Sequence, residues 1–463
     1  MTSLNFRLTA AIALGKLATA ASRALRLGGG TTMPGRVARS VDPNVMQRLR
    51  SRLRHGTILV TGTNGKTTTA RLISHILGLA SLVPVHNRAG ANLAAGIAAA
   101  LVQQASWRGE ARGDIGIFEV DEATLPVVAE PLAPRVIVLT NLFRDQLDRY
   151  GEIDIVSTRW RAALQNSSAA VAFNTDDPLV SEVGLAYQGH RIPFGIEDAS
   201  CGLGTVEHSA DARYCYQCGI PYRYDAVYFG HMGVYWCERC GTRRREPSVA
   251  AAQVENRGID GTSFTLRTPR GPVRVRTILP GVYNIHNILA AAACCLQLNV
   301  PLETVARGVE TFAPAFGRAE RVRVEGREAI LLLAKNPAGF NEVLRSLLRD
   351  SEQSVVLIAI NDLIADGRDI SWLWDVDFEV LAGRTRRVVV SGIRAEDMAL
   401  RLKYAGVPEA QMTVRGDLSR ALDAAVQAAQ DGQRLYILPT YTALLQLRRL
   451  LQRRGLVGEF WEQ

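Results

Sequence analysis

The stretch from Thr57 to Leu77 constrains the fold of this chain more than any other part of it. Its first four residues are β-branched or apolar and predict a short buried strand, whereas apolar residues recur at helical spacing after Thr67. Between the two lies a glycine-rich turn that ends in Gly65-Lys66-Thr67. A strand, a glycine turn and a helix that begins with Lys-Thr are the parts of a phosphate-binding loop.

This loop predicts an ATP site. Backbone N–H groups at the helix start cradle the phosphates, Lys66 reaches the terminal phosphates, and the Thr67 hydroxyl binds Mg²⁺. The general motif has a glycine where this chain has Val60, so a plain strand-to-helix turn is the alternative. The residues expected to bind ATP here are Gly62, Thr63, Asn64, Gly65, Lys66, Thr67 and Thr68.

Length, charge and hydropathy bound the class of protein. A chain of 463 residues is too long for one core, and roughly two to four domains are expected. The net charge of +9 suits polyanionic partners such as nucleotides, nucleic acids or anionic lipid head groups. No apolar run reaches the roughly 18 residues that a membrane-spanning helix needs, and Leu4 to Leu27 lacks a signal-peptide cleavage site. We therefore expect a cytoplasmic protein whose first helix lies at the surface or touches a membrane or a partner.

Four of the seven cysteines follow the spacing of a zinc ribbon. They form two Cys-x-x-Cys pairs, each followed by a glycine that permits a tight turn, and they are Cys215, Cys218, Cys237 and Cys240. A site with four thiolates is closed to substrate, so we expect a structural zinc ion, with disulfide bonds as the alternative. The insert, about 201–245, is rich in Tyr and Trp. These rings are expected to form its small core, the alternative being that they stack on nucleic-acid bases.

A second predicted strand, Asp114 to Val120, ends in a run of carboxylates. Because parallel strands end at the same edge of a sheet, Glu119 is placed beside the phosphate loop and, with Thr67, predicts a magnesium site. Asp121 and Glu122 are expected to be solvated or to cap the next helix. Farther along, apolar runs at 331–333, 355–360, 387–391 and 435–438 with helices between them predict a Rossmann-like domain.

The amino-acid sequences of the phosphate loop and three later motifs resemble those of the Mur ligase superfamily. These ATP-dependent enzymes join a carboxylate to an amine through an acyl phosphate. The resemblance implies that Asn284 and Asn287 read the adenine edge or anchor the nucleotide loop, for which helix capping is the alternative. It also implies that Arg318 meets the ATP phosphates and that Lys335, directly before Asn-Pro, stabilises the phosphoryl group in transfer or the acyl phosphate. Glu119 matches the metal-binding glutamate of the superfamily.

The implied fold is α/β. A Mur-ligase-type central domain that carries the phosphate-binding loop spans 46–316 and contains the inserted Cys₄ zinc ribbon. It follows an N-terminal helical segment, 1–45, and precedes a Rossmann-like C-terminal domain, 317–463.

Departures from conventional Mur ligases point to one branch of the superfamily. About 50 residues precede the loop, too few for the usual domain that binds a UDP-sugar. Gln146 stands where the superfamily has a histidine, and no lysine occurs between Trp160 and Val234 to match the superfamily's carbamylated lysine. With the Cys₄ insert and the motif from Asp366 to Asp375, the chain resembles the MurT family, the synthetase subunits of lipid II isoglutaminyl synthase.

The MurT resemblance implies a defined reaction. ATP phosphorylates the α-carboxylate of D-glutamate in the stem peptide of lipid II, at the inner face of the membrane, and ammonia converts the acyl phosphate to D-isoglutamine. The ammonia comes from a separate GatD-type glutamine amidotransferase subunit, whose glutaminase site an aspartate of this chain completes. Asp369 is favoured because Gly367 gives a turn and two nearby tryptophans exclude water. Asp366 and Asp375 remain open alternatives.

Two other functions stay open from the sequence. A conventional Mur-type or folylpolyglutamate-type amino-acid ligase is opposed by Gln146, by the missing lysine and by the short N-terminal segment. A zinc-ribbon ATPase that binds nucleic acid would explain the net charge and the aromatic insert, but it leaves the aspartate-rich motif unexplained. We therefore expect no nucleic-acid partner.

Overall fold

Two β-sheets and a separate two-stranded ribbon organise the chain in the computed structural model. The structure describes residues 6–24, 32–87, 91–144, 153–203, 210–313, 318–334, 336–348, 353–430 and 433–457. Within these ranges, no helix combines the length and the apolar character that crossing a membrane requires.

The first sheet has nine strands and carries helices on both faces. Its elements and those that lead into it are, in chain order, α1 (Phe6–Ala24), α2 (Met33–Val41), α3 (Val45–Arg50), β1 (Thr57–Thr61), α4 (Lys66–Leu79), β2 (Pro84–His86), α5 (Ala94–Gln103), β3 (Ile115–Glu119), α6 (Leu125–Leu132), β4 (Val136–Leu139), α7 (Ile153–Gln165), β5 (Ala170–Asn174), α8 (Pro178–Ala186), β6 (Arg191–Ile196), β7 (Arg223–Phe229), β8 (Met232–Trp236), β9 (Val249–Asn256), β10 (Thr262–Thr268), β11 (Gly271–Thr277), α9 (Val282–Gln297) and α10 (Leu302–Thr311). Of these strands, β7 and β8 lie outside the sheet and form the ribbon.

Strand β1 lies inside this sheet, whose order is β11-β10-β9-β6-β5-β4-β1-β3-β2. It pairs in parallel with β3 and β4, and every one of its residues is buried. Ile58 and Val60 belong to the core formed with α4, α9 and α10, whereas Leu59 belongs to the core formed with α1–α3 and α5–α8. Burial on both faces explains why an unbroken apolar run predicts this strand.

The second sheet forms the C-terminal domain and has the order β12-β13-β17-β14-β15-β16. Its elements are β12 (Arg318–Val324), β13 (Arg327–Leu332), α11 (Pro337–Leu348), β14 (Ser354–Ala359), β15 (Thr385–Ser391), α12 (Ala395–Tyr404), β16 (Met412–Val414), α13 (Leu418–Ala428), β17 (Leu435–Pro439) and α14 (Tyr441–Arg453). Helices α11 and α12 cover one face, and α13 and α14 cover the other. The four strands expected in this region from apolar runs are confirmed. In such a doubly wound sheet, the carboxyl ends of the parallel strands are the usual place for a site.

Candidate active site

The turn after β1 has the backbone geometry of a phosphate-binding loop. Gly62 and Gly65 have φ values of +133° and +85°, in the region that favours glycine. A Cβ atom at Gly62 would lie 2.1 Å from Thr140 Oγ1, and one at Gly65 would lie 1.9 Å from Asn287 Oδ1. Because α4 begins at Lys66, its first N–H groups have no partners within the helix and can bind phosphate oxygens.

Lys66 is buried and paired with a carboxylate. Its ammonium lies 3.0 Å from Glu122 Oε1 and also donates to the Gly62 carbonyl, and both side chains are less than one-tenth exposed. Burial raises the pKa of Glu122, and the Lys66 ammonium opposes that rise. The expectation that Glu122 is solvated or capping is therefore wrong, because β3 ends beside the loop and delivers this carboxylate to Lys66. Asp121 does form a turn at the start of α6, where it accepts the Ala123 N–H.

Thr67 and Glu119, the pair predicted to bind magnesium, lie in contact. The Thr67 hydroxyl donates to Glu119 Oε2 at 2.8 Å. Asn87 fixes the backbone of Glu119 from the next strand, donating to its carbonyl at 2.8 Å and accepting its N–H at 2.9 Å. A hydroxyl and a carboxylate side by side are oxygen ligands of the kind that Mg²⁺ prefers, so this pair fits the ion that the sequence predicts.

The middle of the loop is held by the residues that follow β4. The Thr63 hydroxyl donates to the Phe143 carbonyl at 3.1 Å and accepts the Phe143 N–H at 2.9 Å. Asn141 Oδ1 accepts the Asn64 N–H at 2.8 Å. The Asn64 side chain in turn accepts a bond of 2.9 Å from Asn336 Nδ2, at the start of the first helix of the C-terminal domain. The loop is thus fixed from within its own sheet and contacts the neighbouring domain.

The first turn of α9 packs against the same loop. Asn284 Nδ2 donates to the Pro280 carbonyl at 2.7 Å, and Asn287 Nδ2 donates to Asn284 Oδ1 at 3.0 Å. Asn287 Oδ1 occupies the space beside Gly65. The structure therefore brings both predicted asparagines to the phosphate loop. Thr68, the last predicted loop residue, is buried in α4.

Three residues that carry predictions are not covered in full. Lys335 and Gln146 lie outside the described residues. Arg318 begins β12, but its side chain also lies outside the described part of the chain.

A buried charge network that the sequence analysis missed supports the site from behind. Asp176, after β5, accepts bonds from Arg244 Nε at 2.6 Å and from the Ile196 N–H at 2.9 Å, and His286 Nε2 lies 2.7 Å away. Burial alone would raise the pKa of Asp176, but Arg244 and His286 together hold it below its ordinary value. His286 stands between Asn284 and Asn287, so the network fixes the helix that bears both. The position of His286 between the two predicted asparagines was a sequence signal for this network.

We expect Asp176→Asn to lower the free energy of unfolding by about 3–5 kcal/mol, because the substitution leaves the buried Arg244 guanidinium without a counter-charge. Denaturant titration at neutral pH measures this loss. Since the folded-state pKa is depressed, the wild-type contribution is present above about pH 4 and is lost only as the pH falls below it. The exposed Asp397→Asn is the control and should leave the midpoint unchanged. An unaltered midpoint for Asp176→Asn would contradict the network's role.

The four cysteines of the insert converge as a metal site requires. All four sulfur atoms lie within 4.8 Å of one another, and the Cys215–Cys240 and Cys218–Cys237 separations are 3.5 and 3.4 Å. Thiolates about 2.3 Å from a tetrahedral ion stand roughly 3.8 Å apart, so the cluster fits zinc without large movement. The cysteines are free thiols in the described part of the chain, which disfavours the disulfide alternative.

The rings of the insert serve partly as its core, as expected. Tyr222 and Tyr235 are buried beside Cys215 and Cys237, with their ring centres 5.0 Å apart. Tyr214, in contrast, is 62% exposed.

The tip of the ribbon reaches the active site. Phe229 and Met232, on either side of the turn between β7 and β8, form a small core with Phe143 and with Ala338 of α11. The His231 ring lies 4.4 Å from the Phe143 ring, and its Nε2 lies 3.4 Å from Asp177. Phe143 is the residue whose backbone bonds to Thr63 of the phosphate loop, so the ribbon tip supports that loop directly.

The aspartates of the C-terminal motif have different environments. Asp366 is buried and accepts the N–H and the hydroxyl of Thr442, and thereby ties the motif to the start of α14. Asp369 is exposed and accepts the Ser371 N–H at 2.8 Å, and Asp375 is exposed as well. Trp374 is 53% exposed and packs edge-on against Tyr404 with ring centres 5.5 Å apart.

Comparisons with known proteins cover nearly the whole chain. The Mur ligase middle domain family matches residues 60–214, and the MurT ligase C-terminal family matches residues 333–444. A Staphylococcus aureus protein, lipid II isoglutaminyl synthase (glutamine-hydrolyzing) subunit MurT, is 35% identical over 96% of this chain and 97% of its own length. Its Streptococcus pneumoniae counterpart is 31% identical over 93% of this chain and 94% of its own length.

The fold is similar to that of solved Mur-type ligases. A pseudomurein peptide ligase type C from Methanothermus fervidus superposes with a TM-score of 0.67 and 21% identity, over 88% of this chain and 80% of that one. The α/β fold with a Mur-ligase-type central domain, expected from the phosphate loop, is thereby confirmed.

Proposed function

This chain belongs to the MurT family of Mur-type ligases, and on that premise we propose that it is the synthetase subunit of a lipid II isoglutaminyl synthase. It is a ligase that amidates lipid II at the expense of ATP, with glutamine as the source of nitrogen. The observation that carries this conclusion is 35% identity to a MurT subunit over almost the full length of both proteins. The same observation opposes a conventional amino-acid ligase and a nucleic-acid-binding ATPase.

We assign the phosphoryl-transfer step to the phosphate loop and its carboxylates. The loop N–H groups bind the ATP phosphates, and Lys66 faces the charge that develops on the γ-phosphoryl group. Thr67 and Glu119 would hold Mg²⁺, which neutralises charge on the phosphate oxygens. A carboxylate oxygen of the D-glutamyl residue attacks the γ-phosphorus, and ADP leaves. Lys335, Arg318, Asn284 and Asn287 complete this assignment.

In the second step, ammonia attacks the acyl carbon of the acyl phosphate. The nitrogen bond forms as the bond to the phosphate oxygen breaks, inorganic phosphate leaves, and the nitrogen releases a proton. The substrate carbon is the α-carboxyl of D-glutamate, and the product is D-isoglutamine.

We propose that ammonia comes from a GatD-type glutaminase bound to the C-terminal domain. Large apolar side chains are exposed around the aspartate-rich motif, and they are Leu363, Ile364, Trp374, Ile393 and Tyr404. Clusters of this kind mark protein interfaces. Asp369 stands exposed beside them, whereas Asp366 is occupied in holding the motif to Thr442. This difference supports Asp369 as the residue that completes the partner's glutaminase site, with Asp375 as the alternative.

We expect Asp369→Asn to lower the glutaminase rate of the complex by about 10²-fold, because an amide cannot supply the carboxylate charge to the partner's site. Amidation supported by free ammonium should not change, because the synthetase site is untouched. Asp375→Asn is the matched control, since it removes another exposed carboxylate of the same motif. The opposite result, a glutaminase defect in Asp375→Asn alone, would transfer the role to Asp375.

The proposed function is tested by assaying the purified chain with lipid II, ATP and Mg²⁺. With free ammonium, mass spectrometry should show replacement of one carboxylic hydroxyl by an amino group; with glutamine and no partner, it should show none. ATP turnover on a soluble carboxylate and an amino acid, without amidation of lipid II, would favour a conventional ligase instead.

The remaining assignments follow from the same proposal. The Cys₄ cluster holds a structural zinc ion, and the domains divide as 1–45, 46–316 and 317–463. The protein is cytoplasmic and acts at the inner face of the membrane, where its substrate is anchored.

A further inference from the structure

The surplus positive charge of this protein is confined to its N-terminal end. Residues 1–56 contain ten Lys or Arg and a single acidic residue, Asp42, whereas the rest of the chain contains 44 Lys or Arg and 44 Asp or Glu. The net charge of +9 therefore lies entirely in the segment that forms α1–α3. Charge of one sign concentrated in one layer of a fold indicates a polyanionic partner at that layer.

The same layer exposes large apolar side chains. On α1, Phe6 is 86% exposed, Leu14 45% and Leu17 59%, and on α2, Met33 is 56% exposed. At about 100° per residue, the three α1 residues lie within an arc of roughly 80°. Ala10 and Ala21 lie within this arc, Ala13 and Ala20 lie within about 40° of it, and each is exposed or partly exposed. The outward stripe of α1 thus carries no polar side chain.

Basic and aromatic residues border the stripe. By helical spacing, Arg7 and Lys16 lie on opposite sides of it. The Lys16 ammonium lies 5.0 Å from the centre of the Trp107 ring, which is 55% exposed. Arg36 is exposed one turn after Met33 on α2. We call the surface formed by Phe6, Leu14, Leu17, Met33 and Trp107 the N-terminal face.

We propose that the N-terminal face binds the surface of an anionic phospholipid bilayer and so holds the synthetase beside its lipid-linked substrate. The identity of that substrate rests on the proposed function above, whereas the evidence from the charge and the exposed stripe is independent of it. An apolar stripe between basic residues is the pattern of a helix that lies in the plane of a membrane. A helix of this kind enters only the boundary between head groups and acyl chains.

Charge complementarity favours a bilayer over a protein partner here. Anionic lipid offers a continuous negative surface that suits an N-terminal segment with a net charge of +9, and its attraction adds to burial of the apolar stripe. The exposed apolar cluster proposed for the glutaminase partner lies on the C-terminal domain, on the other sheet.

The test compares two variants of the full-length, zinc-loaded protein, each with two apolar side chains replaced by glutamate, by co-sedimentation with phosphatidylglycerol or phosphatidylcholine vesicles. Leu14→Glu/Leu17→Glu alters the N-terminal face. Leu79→Glu/Ile278→Glu is the control: these residues are 39% and 55% exposed, and nearby Leu77 and Leu279 belong to the core on the other face of the nine-stranded sheet. We expect wild type and control to bind phosphatidylglycerol vesicles and to release as salt rises, and the first variant to bind at least about tenfold more weakly.

A second readout separates this proposal from the proposed function. Leu14→Glu/Leu17→Glu should amidate vesicle-embedded lipid II more slowly but a short-chain, water-soluble analogue at the wild-type rate. Equal vesicle binding by wild type and this variant would overturn the membrane proposal. The proposal would also be overturned if the variant lost binding to a protein partner, or lost self-association, while its vesicle binding did not change. Failure of the wild-type protein to amidate either substrate would instead overturn the proposed function. The vesicle-binding measurement would still test whether the N-terminal face binds a membrane.

Discussion

Lys66→Ala is expected to lower kcat/KM for ATP-dependent amidation by at least about 10³-fold, because the phosphate loop loses its own cation, which faces the γ-phosphoryl group. The structure adds a second reason. Lys66 lies 3.0 Å from the buried Glu122 carboxylate, whose pKa burial already raises. Without Lys66, Glu122 takes up a proton or remains as an unpaired buried charge, and either state alters the site. The measurement is the initial rate with ammonium as nitrogen donor.

Two further variants separate chemistry from folding. Glu122→Gln keeps a hydrogen-bond acceptor beside Lys66 while it removes the charge, so it should retain more activity than Lys66→Ala. Lys403→Ala removes a lysine that pairs with Glu409 at the surface of the C-terminal domain, and it should leave the rate unchanged. A Lys66→Ala protein that unfolds at the wild-type temperature and still amidates lipid II with ATP would show that the ATP assignment is wrong.

The parts of the site that could be predicted from sequence are those whose residues lie close together in the chain. Gly62, Gly65 and Lys66 lie in one turn, and the positive φ values of the two glycines explain why that turn needs them. The four cysteines of the metal cluster could likewise be predicted from their short spacing. Glu119 could be placed because a parallel sheet delivers the ends of its strands to one edge.

The parts that could not be predicted depend on the order of strands in the sheet. Asp176 meets Arg244 across 68 residues of chain and His286 across 110. No periodicity or spacing connects those positions, because they come together only when β5, β6, β9 and α9 have packed. The expectation that Glu122 is solvated or capping was wrong for a related reason. Its sequence neighbours suggest a solvated acidic turn, and only the depth of β3 in the sheet reveals that the turn is buried.

From the contacts of the ribbon tip we propose that zinc influences nucleotide binding as well as local folding. The path is short: the two strands of the ribbon end at Phe229 and Met232, these pack on Phe143, and the Phe143 backbone holds Thr63. The same small core includes Ala338, two residues after Asn336, and Asn336 bonds to Asn64. We therefore expect a ribbon without its metal to loosen both the loop and the contact between the two domains.

Cys218→Ser is accordingly expected to lose zinc, to lower the unfolding temperature by about 5–10 °C and to weaken ATP binding by roughly tenfold. The first two effects follow because the free energy of metal binding is folding energy for a ribbon whose own core is small. The third follows from the support that the tip gives to Phe143 and Thr63. Metal analysis, calorimetry and a fluorescent-nucleotide titration measure the three quantities.

Cys295→Ser is the matched control, because it replaces a cysteine that is fully buried on α9 and distant in sequence from the ribbon. It can cost stability through its buried hydroxyl, but it should keep one zinc ion per chain and the wild-type ATP affinity. Unchanged zinc content and unfolding temperature in Cys218→Ser would refute the metal site. Loss of zinc with unchanged ATP affinity would keep the site and refute the coupling, since Phe143 would then hold Thr63 without help from the ribbon.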